Sequence, residues 1–133
     1  MADILFEANC QAEPHPEISG RLMVSGTATH AGTINPQESF YQFTSEEIVQ
    51  IDGQTFLQLE GFAKLVGVNG HGFEATFMSY QTQGFPSSFQ GEVFITPGTG
   101  TGPFKGYTGT LNSSGGVDFE GISMTISGNL VYN

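Results

Sequence analysis

The sequence predicts an all-β protein, an eight-stranded antiparallel up-and-down β-barrel, and three observations predict it. Apolar residues recur at spacing two along most of the chain. Stretches of about 11 residues free of Gly, Pro and β-branched side chains, the minimum for a helical pattern, are scarce. Turn chemistry punctuates the chain at regular intervals, with Asp52-Gly53 and Asn69-Gly70 as pairs that readily adopt positive φ. With no helix to cover a sheet face, eight strands bury their apolar faces as a two-layer sandwich or by closing on themselves, and closure also removes exposed edges. At 133 residues, 38% hydrophobic and with 12 Phe, the chain is one domain with enough apolar surface for a core.

The first predicted strand spans 3–11, with Phe6, Ala8 and Cys10 on one face and Glu7 and Asn9 on the other. Glu13-Pro14-His15-Pro16 follows as a loop whose prolines fix the backbone and hold His15 near the strand end. A second strand over 18–30 precedes two strands, 38–51 and 54–68, joined at Asp52-Gly53 and apolar on both faces. Phe40 and Ile48 oppose Tyr41, Phe43 and Val49 in the first of these, and Phe56 and Phe62 oppose Leu57, Leu59 and Leu65 in the second. Burial on both faces implies a covering partner, so a homo-oligomer, trimer or dimer, is expected. Strands over 72–80, 88–97 and 104–111 come next. Asn112-Ser113-Ser114-Gly115-Gly116 reads as a longer turn before the last strand, 117–132. There Ile122, Met124, Ile126, Leu130 and Tyr132 share one face, and Ser123, Thr125, Ser127 and Asn129 the other.

Charge narrows the function classes. With 3 Lys+Arg against 13 Asp+Glu, a formal net charge of -10, the surface repels phosphate backbones and anionic head groups, so neither nucleic acid nor a membrane is an expected partner. The N-terminal run Met1-Ala2-Asp3-Ile4-Leu5-Phe6-Glu7 has no basic segment, the first cation being Arg21, and no run is long enough to span a bilayer; a cytoplasmic protein is expected. Cys10 is the only cysteine and fits a reducing compartment.

Several chemistries lack their signature. His15, His30 and His71 are far apart and unaccompanied by a Cys pair, so no metal site is expected. The run Gly98-Thr99-Gly100-Thr101-Gly102-Pro103-Phe104-Lys105-Gly106 is glycine-rich, but Lys105 is followed by Gly106-Tyr107 where a phosphate-cradling loop requires Ser or Thr opening a helix; a tight β turn or bulge is the plainer reading. No serine occupies a nucleophile elbow. Glu46-Glu47 is an adjacent pair whose carboxylates point to opposite faces of a strand. Glu7, Glu60, Glu74 and Glu92 sit mid-strand among apolar residues, and any that faces an interior is a costly desolvated group. Glu7 is singled out because Asn9 shares its face and offers an amide beside the carboxylate. If Phe6, Ala8 and Cys10 face inward instead, Glu7 and Asn9 are surface residues.

Leu5-Phe6-Glu7-Ala8-Asn9 followed by a loop ending at Pro16 resembles the opening of plant allene oxide cyclases, in which the first strand carries Glu-x-Asn and a proline follows at the same interval, preceded by serine; here His15 replaces the serine. Gly100-Thr101-Gly102-Pro103-Phe104-Lys105-Gly106-Tyr107-Thr108-Gly109 is similar to the Gly-x-Gly-x-Phe-x-Gly turn and strand of that family and of dirigent-like barrels, and Gly72-Phe73-Glu74-Ala75-Thr76-Phe77 is similar to another of its strand starts. Ala63 stands at the position of a mid-strand cysteine in the plant enzymes, and the chain is much shorter, as in a bacterial-type member. The resemblance covers nearly the whole of 1–133 in order and implies an eight-stranded barrel, often trimeric.

It also implies a cofactor-independent cyclase or isomerase that moulds a small, mostly apolar substrate, an epoxide or natural-product precursor, inside the barrel. Glu7 would stabilise a developing cation, Asn9 would serve the oxygen through water, His15 would donate or shuttle a proton, and Pro16 would wall the mouth. Phe56, Phe62, Phe77, Tyr80, Phe94 and Met124 are the expected mould. Confinement of this kind lowers a barrier by about 7–11 kcal/mol in favourable cases. The rival reading is a non-catalytic barrel that binds a small hydrophobic ligand. A structural or assembly role is the third.

Overall fold

The first strand shows how the chain sorts itself. In the computed structural model, which describes residues 3–133, Phe6, Ala8, Cys10 and Ala12 are buried while Leu5, Glu7, Asn9 and Gln11 are exposed. Met1 and Ala2, the start of the N-terminal run read above, lie outside the described residues. The strands are β1 (Ile4–Pro14), β2 (Arg21–Ala28), β3 (Gly32–Ile34), β4 (Phe40–Ile51), β5 (Gln54–Val66), β6 (Gly72–Thr82), β7 (Ser87–Ile95), β8 (Tyr107–Asp118) and β9 (Gly121–Tyr132). All nine lie in one antiparallel sheet ordered β1-β9-β8-β7-β6-β5-β4-β2-β3. Because β1 also pairs with β2, from Ala8 opposite Ala28 to Pro14 opposite Leu22, eight of the strands form a closed ring and β3 hangs on its margin.

Two elements differ from the sequence expectation. The segment Asn112–Gly116 is strand, and the turn lies later, between Asp118 and Gly121, so Val117 belongs to β8 and β9 starts at Gly121. Glycine serves close packing there: a Cβ on Gly115 would lie 2.0 Å from the Ser123 carbonyl oxygen and 2.7 Å from Phe89 Cζ. The short β3 was not anticipated, three residues being too few to show a period. Asp52-Gly53 forms the expected two-residue hairpin, with φ of 51° and 81°.

The ring has two unlike ends. At one, Phe6, Phe73 and Phe104 meet edge to face with centroids 5.4–6.1 Å apart, and Phe104 comes from a one-turn 3-10 helix, Gly102–Phe104. The glycine-rich run is therefore a plug, tied to β6 where Gly72 N–H donates to Thr101 Oγ1 (3.0 Å) and Glu74 N–H to Thr99 Oγ1 (3.1 Å). Ser39 clasps the same end, its hydroxyl accepting from Val66 N–H (2.9 Å) and donating to Val66 C=O (3.1 Å). At the other end lie the β1–β2, β4–β5, β6–β7 and β8–β9 connections. β4 pairs with β2 only over Phe40–Gln42, so its remaining length pairs with β5 alone, while β5 stays paired with β6 from Phe56 to Val66. Within β4 the register shifts between Phe43 and Ser45, leaving Thr44 as the extra residue of a β-bulge.

Candidate functional site

Inward-facing residues from seven strands enclose a cavity of about 260 Å³ that lies between the aromatic plug and the end bearing the β4–β5 hairpin. Leu22 comes from β2; Tyr41, Phe43 and Glu46 from β4; Leu57 and Leu59 from β5; Phe77, Ser79 and Gln81 from β6; Phe89 from β7; Ser113 and Val117 from β8; Ile122 and Met124 from β9. Alternation explains most of this lining, since Leu57, Leu59 and Gly61 oppose Gln81, Ser79 and Phe77 on the inner face. The bulge explains the rest. Strict alternation from Tyr41 and Phe43 would turn Ser45 and Glu47 inward, but the extra residue brings Glu46 opposite Leu59 and onto the cavity side.

Tyr41 is the chemical centre of the cavity. Its side chain is 5% exposed, its ring packs on Phe77 with centroids 4.9 Å apart, and Phe43 meets Phe77 at 5.7 Å. The Tyr41 hydroxyl is buried and has no hydrogen-bond partner. Burial, with the neighbouring Cys10 as a second cause, holds the phenol well above its ordinary range, so it is a neutral donor. Cys10, pushed up to about 11 by burial, is a thiol and not a nucleophilic thiolate. Ser79 and Ser113 are buried with the cavity, Ser79 Oγ donating to Gln90 C=O at 3.5 Å.

The residues singled out in the sequence divide sharply. Phe77 and Met124 line the cavity. Glu7 and Asn9 do not: both are exposed on the outer face, because their neighbours Phe6, Ala8 and Cys10 occupy the interior. Asn9 Oδ1 accepts from Thr125 Oγ1 (3.2 Å), and the Glu7 N–H donates to Thr29 Oγ1 (2.9 Å). The expected interior pair is thus corrected to a surface pair by strand parity. His15 fixes the β1–β2 loop, its Nδ1 accepting from Glu17 N–H (3.0 Å) and Ile18 N–H (2.9 Å), and Pro16 is exposed beside it; neither lines the cavity. Phe56 and Tyr80 pack on each other on the outside, with Tyr80 Oη donating to Met78 Sδ at 3.3 Å. Phe62 and Phe94 are outside too, 56% and 38% exposed, so four of the six expected mould residues are corrected to the outer surface. Sequence reasoning missed Tyr41 and Glu46; the two-faced apolar pattern of 38–51 held the signal for Tyr41, whereas a bulge leaves none in the residue types.

Larger grooves of about 410 and 470 Å³ lie on the outer face over β1, β2 and β9. Their side chains, including Asn9, Gln11, Ser25, Thr27, Ser123 and Thr125, contribute no buried polar atom lacking a partner. Among the described residues no group of three His, Cys, Asp or Glu is arranged to hold a metal ion, and no helix is long and apolar enough to cross a membrane. Searches against protein-family models, curated proteins and solved structures found no match to this chain.

Proposed function

We propose that the closed ring is an up-and-down β-barrel that binds one small, largely apolar molecule in its interior, without a cofactor, the Tyr41 hydroxyl bonding the ligand's polar atom. The apolar cavity, whose lining includes Tyr41 with its buried and unpartnered hydroxyl, carries the reading. A buried hydroxyl without a partner costs roughly 1–3 kcal/mol, which a ligand acceptor atom recovers on binding. The volume, about 260 Å³, lies just below the usual small-molecule range of about 300–1,000 Å³, so the ligand is compact.

A cyclase or isomerase, as the allene oxide cyclase resemblance implies, is the second reading. What favours it is a neutral proton donor, Tyr41, and a carboxylate, Glu46, in one apolar mould. Glu7 and Asn9 drop out of that mechanism because they face away from the cavity. The expected oligomer belongs to the same reading, with Phe62 and Phe94 as its covered surface; a monomeric mass by light scattering at micromolar concentration removes it.

The test is native mass spectrometry of the protein from its own host, followed by denaturing extraction, with Leu59→Phe, which fills the cavity, run alongside. One stoichiometric small molecule, absent from the variant, supports the binding barrel. A cyclised product released from an open precursor supports the cyclase. An empty protein that also shows no cavity shifts by NMR with small apolar probes overturns both.

A further inference from the structure

Resting on that binding reading, we infer that the cavity selects a small organic cation, an apolar primary amine whose ammonium sits at the mouth against Glu46 while its far end reaches Tyr41. Glu46 is the one carboxylate lining the cavity, and among the described residues it has no ion pair and no side-chain hydrogen bond. It is exposed on the stretch of β4 that pairs with β5 alone, whereas Tyr41, lining the same cavity, is 5% exposed with its hydroxyl buried and unpartnered. Both residues line one largely apolar cavity.

The walls between them favour a cation over a neutral molecule. Tyr41, Phe43 and Phe77 form a contiguous aromatic cluster, with centroids 4.9 and 5.7 Å apart, and aromatic faces attract ammonium groups. The mouth adds a field of the same sense. Besides Glu46, the strand ends and connections there carry Glu13, Glu17, Glu47, Asp52, Asp118 and Glu120, seven of the 13 acids of the chain. The cation at that end, Arg21, is turned outward, its Nε donating to Gln42 Oε1 (2.9 Å) and its guanidinium lying 4.1 Å over Phe40. Among the described residues Arg21 is the one Lys or Arg at that end against seven carboxylates, so the opening is net negative, and a negative mouth over an apolar interior raises the local concentration of cations. An anionic ligand such as a fatty acid would meet repulsion before reaching Tyr41.

Two probes of nearly equal shape separate the charge from the cavity: 4-(2-aminoethyl)phenol, a cation at neutral pH, and 4-(2-hydroxyethyl)phenol, its neutral counterpart. Each keeps a distal hydroxyl for Tyr41. Titrated into the full-length protein by NMR or calorimetry at low salt, the amine is expected to bind about tenfold tighter than the alcohol. Glu46→Gln should remove the amine's preference over the alcohol, and 0.5 M salt should narrow the same difference. Equal binding of the two probes, or a preference that survives Glu46→Gln, overturns the cation inference and leaves the binding barrel standing. If neither probe binds, or if both bind equally well to Leu59→Phe, the barrel reading falls with it.

Discussion

Tyr41 sets two opposing demands on one side chain. In the free protein its hydroxyl is desolvated without return, so Tyr41→Phe should leave folding stability unchanged or raise it by up to about 1–2 kcal/mol, measured by urea denaturation, while weakening ligand binding. A buried tyrosine retained for packing alone would show no such split. Cys10 supplies the pH dependence. Its thiol moves from an ordinary 9.0 to about 11 in the folded chain, so between those values the folded state keeps a proton that the unfolded state has released. Stability is therefore full below pH 9 and falls as pH rises toward 11, and the raised Tyr41 phenol adds to the same fall above its ordinary 10.0. Denaturation curves for Cys10→Ala should be flatter across that window than those of the parent chain, and a thiol reagent at pH 8 should label Cys10 only on unfolding.

At the scale of elements, the plug and β8 bear the greatest consequence. Phe104 is anchored by one turn of 3-10 helix yet fully buried against Phe6 and Phe73, so Phe104→Ala should cost about 3–5 kcal/mol, a large share of an ordinary domain's stability. Gly115→Ala should destabilise by about 1–3 kcal/mol, because the added carbon meets the Ser123 carbonyl and the Phe89 ring; Gly53→Ala, in an open hairpin turn, should be penalised only for its positive φ. Both comparisons are read as shifts of the denaturation midpoint. β8 also shows why residue type misleads locally. Asn112-Ser113-Ser114-Gly115-Gly116 has turn composition, but the glycines serve contacts with β7 and β9 that no local window contains.

For the whole molecule, closure decides which backbone is protected. Every strand of the ring has at least two partner strands, whereas β3 pairs with β2 and otherwise only through the single Ile34–Gly67 bridge, and the part of β4 beyond Phe43 pairs only with β5. Hydrogen exchange should accordingly be fastest at Gly32–Ile34 and over 44–51, and slowest where β1 lies between β9 and β2, over 8–12. Slow exchange over 44–51 in a dilute monomer would mean that another element covers that edge, contrary to the open mouth described above.

What could be read from the chain is what is local or additive: the period of two, the Asp52-Gly53 hairpin, the strand count of the ring, the one-sided face of β9 and the acidity that disfavours anionic partners. The site depended on which of two faces closure turns inward. Both faces of β1 are chemically coherent as sequence, one small and apolar, the other Glu7 with Asn9, and the burial of Phe6, Ala8 and Cys10 against the far wall resolves them. Likewise Glu46 and Glu47 are interchangeable in the sequence, and one extra residue in β4, placed by pairing with β5, separates a cavity carboxylate from an outward one. Alternation is a property of consecutive residues, but its phase is set by partners tens of residues away, so a one-residue displacement reverses inside and outside.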